Sequence, residues 1–183
     1  MSARLEDALA ALRQALAQTT PGRALFSSFT PPEGALLRGH FEVRNARGEV
    51  RRLQEASLPL PRPLLHAFAV AAPAELIRIE TCRGRVTLWP PRELIELQVG
   101  YRWHGFNGRP LREWAESFVV FAEEDGDPLA LNLDEEDGPV WSAPRGEGRH
   151  HFTPRAPSLA DFYAALAAEQ AAAAGAGGAA LLR

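Results

Sequence analysis

Lysine is missing from this chain altogether, and all 20 basic residues are arginines. With the abundant alanine, that bias records a GC-rich genome rather than a binding demand. No block of basic residues offsets the formal net charge of −3. Nucleic acid is therefore a poor partner, because neutralising phosphates supplies most of that affinity. Cysteine is nearly missing too. Cys82 has no second cysteine to join inside the chain, so a reducing, cytoplasmic compartment is the simpler expectation. No run of 18 apolar residues occurs, so no membrane span is expected. The opening residues Met1 to Asp7 carry acids where a secretory signal is apolar.

Metal and nucleophile patterns are also scarce. His150 and His151 are adjacent, and on a strand neighbours point to opposite faces. His40, His66, His104 and Cys82 lack zinc-ligand spacing. The two acidic turns do not place acids at alternate positions before a glycine, as a calcium-binding EF-hand loop requires. No Gly-x-Ser-x-Gly elbow or phosphate-cradling glycine loop exists. Cys82 sits beside Arg83, a neighbour of the kind that makes a thiol reactive; the alternative is a small space-filling residue in a turn. Acids massed in exposed glycine turns stay solvated, whereas acid–base catalysis needs a carboxyl in an apolar pocket. The expectation is no enzyme, no cofactor and no metal.

What is present suits one globular domain: 183 residues, 46% of them hydrophobic. Leu5, Ala8, Leu9, Leu12 and Leu16 fall on one helical face, which predicts an amphipathic helix over residues 1–20. That helix either packs on the domain's own sheet or serves dimerisation or partner docking. Leu37, Gly39, Phe41 and Val43 alternate with polar residues, a half-buried strand. Residues 49–54 return as its partner, and a hairpin unstable alone is expected to join the main sheet. After the stiff Leu58-Pro59-Leu60-Pro61 connector, Pro63 opens a helix carrying Leu64, Leu65 and Phe68. Residues 76–80 and 85–89 form a hairpin, and a short helix follows Pro90-Pro91. Residues 101–114 read as a loop, with a helical turn at 111–116. Residues 167–183, rich in alanine and glycine, read as a fraying helix and flexible tail.

Residues 117–166 organise the chain. Ser117-Phe118-Val119-Val120-Phe121-Ala122, Leu129-Ala130-Leu131-Asn132-Leu133 and Pro139-Val140-Trp141 are short β-rich runs separated by acidic glycine turns, an antiparallel meander. Leu159, Phe162, Tyr163 and Leu166 then recur at helical spacing, behind a Ser158/Asp161 capping box. The fold expected is α+β: a single domain with an antiparallel twisted sheet flanked by helices.

The order Phe118-x-x-Phe121-Ala122, Gly126-Asp127-Pro128-Leu129-x-Leu131, Gly138-Pro139-Val140-Trp141 and Ser158-Leu159-x-x-Phe162 resembles the SUKH superfamily, the Smi/Knr-like proteins. The resemblance covers residues 58–166, within a domain placed at 21–166. Ala71-Ala72-Pro73 stands where relatives carry Asn-Gly-Gly. The resemblance implies a non-enzymatic, cytoplasmic immunity protein that masks the active surface of a cognate bacterial toxin. Its alternative implication is a regulatory or scaffold protein of the Smi/Knr type with no toxin.

The acids themselves suggest where a protein partner binds. Glu123, Glu124, Asp125, Asp127, Asp134, Glu135, Glu136 and Asp137 are eight of 23 acids within fifteen positions. At roughly 3.3 Å per strand residue the two turns lie about 20 Å apart, so they form two patches. They are either solvated, edge-protecting loops or a surface that steers a basic toxin domain. Trp103, Trp114 and Trp141 fit core packing, with Trp141 beside the acids able to anchor an interface. A homodimer through the first helix is a further partner arrangement.

Overall fold

The computed structural model describes residues 2–44, 47, 50–102, 114, 116–144 and 152–180. The predicted loop at 103–113, with Trp103 and His104, lies outside the described residues, as do His150 and His151. The fold is α+β.

Helix α1 (Ser2–Thr19) forms where the leucine stripe predicts it, and Leu5, Leu9, Leu12 and Leu16 are all buried. Its main partners are helices: it lies along α4 (Leu159–Ala180) and touches α2 (Arg62–Ala71). Pro63 stands in the first turn of α2, where a proline forfeits no helical hydrogen bond. Directly after α2, the short strand β4 (Ala72–Pro73) pairs with β1 (Phe26–Ser27).

The main sheet has six antiparallel strands in the order β10-β9-β8-β7-β6-β5. They are β5 (Ile77–Thr81), β6 (Gly84–Leu88), β7 (Phe118–Glu124), β8 (Asp127–Asn132), β9 (Val140–Ser142) and β10 (Thr153–Ala156). The expected meander is β7-β8-β9. Val119 to Ala122 and Leu129 to Leu131 are buried in unbroken runs, so these central strands are covered on both faces. Phe121 meets Phe162 of α4 edge to face at 5.8 Å. A two-residue turn joins β7 to β8. Asp125 (φ 52°) and Gly126 (φ 90°) both adopt positive φ, the Asp-Gly chemistry of a tight hairpin.

The first hairpin departs from expectation. β2 (Leu36–Arg44) and β3 (Val50–Pro59) form a separate two-stranded ribbon and do not join the main sheet. The reason is α3 (Leu94–Arg102), which packs against both β2 and β7 and so stands between ribbon and sheet. Gly39 allows this closeness, because a Cβ there would sit 2.9 Å from Ile95 Cδ1. The connector is also shorter than expected, since β3 continues through Pro59.

α3 contributes a second device. β6 reaches only as far as Ala122 along β7, leaving Val120 without a strand partner on that side. The buried Gln98 fills the gap. Its amide nitrogen donates to the Val120 carbonyl at 2.6 Å, and its oxygen accepts from the Val120 N–H at 3.1 Å. One side chain thus replaces a length of strand, as buried peptide groups demand.

No sequence signal marks β10. Its Thr-Pro-Arg-Ala sequence has no apolar alternation, and Pro154 is tolerated because the strand is at the sheet's edge. The Ser158 hydroxyl caps α4 by accepting from the Asp161 N–H at 3.1 Å. The reciprocal half of the box differs, since the Asp161 carboxylate accepts from the Ser158 hydroxyl at 2.7 Å rather than from a backbone N–H. α4 then runs on through the alanine-rich stretch to Ala180.

Candidate functional site: two acidic turns and a cleft

The two acidic turns lie at opposite ends of β8, as the meander requires. Their side chains have different fates. In the first, Glu123 accepts from the Trp89 indole N–H at 3.0 Å, and the Tyr101 hydroxyl lies 2.5 Å from its other oxygen. Glu124 is held by both arms of the Arg155 guanidinium at 2.8 Å, with each side chain only 13–14% exposed. That hydrogen-bonded carboxylate holds the Arg155 pKa above its ordinary value, against a smaller opposing effect of burial. Asp125 is exposed, yet its carboxylate accepts from the Arg85 N–H at 2.8 Å while its own N–H donates to the Arg85 carbonyl at 2.9 Å. Gly84 packs beneath it: a Cβ at Gly84 would lie 1.9 Å from Asp125 Oδ2, and its φ of 143° suits glycine alone. Asp127 closes the hairpin opposite Glu124. Glu123 and Glu124 depart from the expectation of solvated acids, because long-range partners that sequence order does not reveal capture them.

In the second turn two acids are held: Glu136 pairs with Arg62 at the surface, and Glu135 folds back onto the turn itself. Its carboxylate accepts from the Asn132 amide at 3.2 Å and from the Trp141 indole N–H at 3.3 Å. Gly138 leaves room for that fold-back, since a Cβ there would lie 2.0 Å from Glu135 Oε2. Asn132 also accepts from the Asp134 N–H at 3.1 Å, the side-chain turn that asparagine favours. Trp141 is half-buried and edge-on to Phe118 at 5.9 Å. Phe118 stacks on Phe152 at 4.1 Å, and Phe152 meets Trp114 at 5.5 Å. Trp114 and Trp141 each pack edge to face on a phenylalanine ring. Asp134, Glu136 and Asp137 point outward and are exposed. The carboxylates of Asp134 and Asp137 contact no cation among the described residues.

Beside this turn the first turns of α1, α2 and α4 converge on a cleft of about 700 Å³. Leu5, Pro63, Leu159 and Ala160 supply apolar lining. Two ion pairs bracket it, Arg4 with Asp161 and Arg62 with Glu136. His66 also lines the cleft and lies 3.1 Å from Glu6. Of the lining, the sequence points only to Glu136 and Asp137 as partner-binding residues, since the other residues come from separated segments. The Ser158/Asp161 cap, in sequence a helix start, also lies in the lining.

Among the described residues no group of three His, Cys, Asp or Glu side chains is placed to hold a metal ion. Cys82 is exposed, and its backbone N–H donates to Glu169 at 2.9 Å. No described helix is long and apolar enough to cross a membrane. Comparisons with family models, with curated proteins and with solved structures each return no match for this chain.

Proposed function

We propose that the chain is a non-enzymatic protein-binding domain that neutralises a cognate bacterial toxin, with the second acidic turn as its recognition surface. One observation carries the reading. Asp134 and Asp137 present exposed carboxylates that meet no cation among the described residues, beside a cleft with apolar lining. Exposed charge of one sign steers an oppositely charged partner and sets its register, while apolar contact holds it after arrival. A toxin that acts on nucleic acid presents a basic groove, and the acids of this turn occupy it in place of phosphates.

The test is affinity capture from the producing cells by the tagged full chain, with mass spectrometry of proteins released as salt rises. The expected result is one basic protein that arrests growth when expressed alone and is harmless when co-expressed with this chain. A set of housekeeping proteins with no toxic member overturns the toxin reading and leaves a regulatory scaffold.

A further inference from the structure

The cleft's charges can be counted. Two guanidinium groups, Arg4 and Arg62, line it together with three carboxylates, Glu136, Asp137 and Asp161. Arg4 pairs with Asp161 and Arg62 with Glu136. His66 faces Glu6, which lies outside the lining. One carboxylate is left over: Asp137, exposed at the rim. Leu5, Pro63, Leu159 and Ala160 supply apolar lining, and the Ser158 hydroxyl of the lining is already bonded to Asp161. An occupant matched to this surface brings one apolar group and one positive charge next to it. A volume of about 700 Å³ is of the size that takes a few residues of chain rather than a single side chain.

We infer that the cleft receives a short segment of a partner protein in which an aliphatic side chain adjoins a lysine or arginine. The aliphatic group seats against Leu5, Pro63 and Leu159, and the cation meets Asp137. This rests on the protein-binding reading and adds what the partner's contact segment is made of. The two ion pairs give the site its walls. Both are exposed on the arginine side, 71% for Arg4 and 78% for Arg62, so they set charge balance at little cost in stability.

The experiment is a nuclear magnetic resonance titration of the labelled full chain with N-acetyl-Leu-Arg-amide, and with N-acetyl-Leu-Glu-amide as control. The Leu-Arg probe is expected to shift the resonances of Leu5, Leu159 and Ala160, and the Leu-Glu probe to leave them in place. D137N is expected to weaken the Leu-Arg probe roughly three- to fivefold, the scale of one exposed ion pair. R62A frees Glu136 and is expected to strengthen binding by a similar factor. A purely structural role for these residues does not predict opposite signs. Equal shifts with both probes, no shift at these residues, or the same response to D137N and R62A overturns the inference. Captured toxin held undiminished by D137N overturns the inference and leaves the proposed function standing. Probe binding with the predicted signs, but no captured partner, supports the cleft and overturns the function.

Discussion

Two acidic turns separated by one strand look alike in sequence and serve different ends in the fold. The first, residues 123–127, meets Trp89, Tyr101, Arg85 and Arg155, all from elements distant in sequence. Its charge is absorbed into the join between β5-β6, the central strands and the edge strand β10. The second, residues 132–138, folds Glu135 back onto the turn, pairs Glu136 with Arg62 at the surface, and leaves Asp134 and Asp137 facing outward beside a cleft. An acidic run therefore says little about function until its partners are known. A carboxylate with an internal arginine or indole donor is part of the scaffold, and one without is available to something else.

That contrast can be broken at several points. Arg155→Met strips the buried partner from Glu124 and is expected to cost about 3 kcal/mol in a urea melt, because an unpaired charge then stays half-buried. A loss below about 0.5 kcal/mol means the first turn is not part of the scaffold. Gly84→Ala pushes a methyl group into Asp125 at a backbone angle that glycine prefers, with an expected cost of about 2 kcal/mol. Gly138→Ala meets Glu135 at its Cβ (2.5 Å) as well as at Oε2 (2.0 Å), but without the positive φ of Gly84, and should cost about 1 kcal/mol. The reverse order of the two glycine effects would dissolve the distinction between turns.

Charge reversal sharpens the comparison from the other side. Asp125→Arg is expected to lower stability by about 1 kcal/mol, through loss of the acceptor for the Arg85 N–H. Asp137→Arg should stay within about 0.5 kcal/mol of the parent. In stopped-flow association with the captured partner, Asp137→Arg is expected to slow binding and flatten its salt dependence. Unchanged rates remove the second turn from the interface. The smallest effect is expected far from both turns. Tyr163 is buried, burial pushes its phenol well above the ordinary value, and its hydroxyl donates to no described residue. Tyr163→Phe should be neutral or stabilising by up to about 1 kcal/mol in thermal denaturation. A clear loss shows a partner for the hydroxyl.

The elements that could be read in advance are those encoded within a few residues. The leucine spacing of α1, proline at the start of α2, the Asp-Gly turn of β7-β8 and the serine cap of α4 are all local signals. Harder to read were features that depend on another segment. Residues 37–54 alternate as a hairpin should, but nothing in that stretch says that α3 keeps it apart from the main sheet. Gly39 bears the mark of that packing, yet in sequence it is one small residue in a polar-apolar pattern. β10 has no pattern at all, because its four residues join the sheet only through a short edge partner. Of the site, the eight acids and Trp141 were visible as a cluster. Their division into captured and outward-facing groups was not, since Arg155 is 31 residues from Glu124 and Trp89 is 34 from Glu123.

The order of residues alone sets helices α1 to α4, the first hairpin and the strands of the central meander, and where negative charge is concentrated. Hydrophobic period, turn chemistry and capping act over a few residues, so they are written in order along the chain. Only the tertiary structure decided which acids are spent internally, where the ribbon lies, and that three helix starts and one acidic turn share a cleft. Those outcomes depend on distances between segments brought together by burying a common core. One-dimensional order carries no measure of such distances, and the unmatched charge of Asp137 becomes visible only when its neighbours have been paired off.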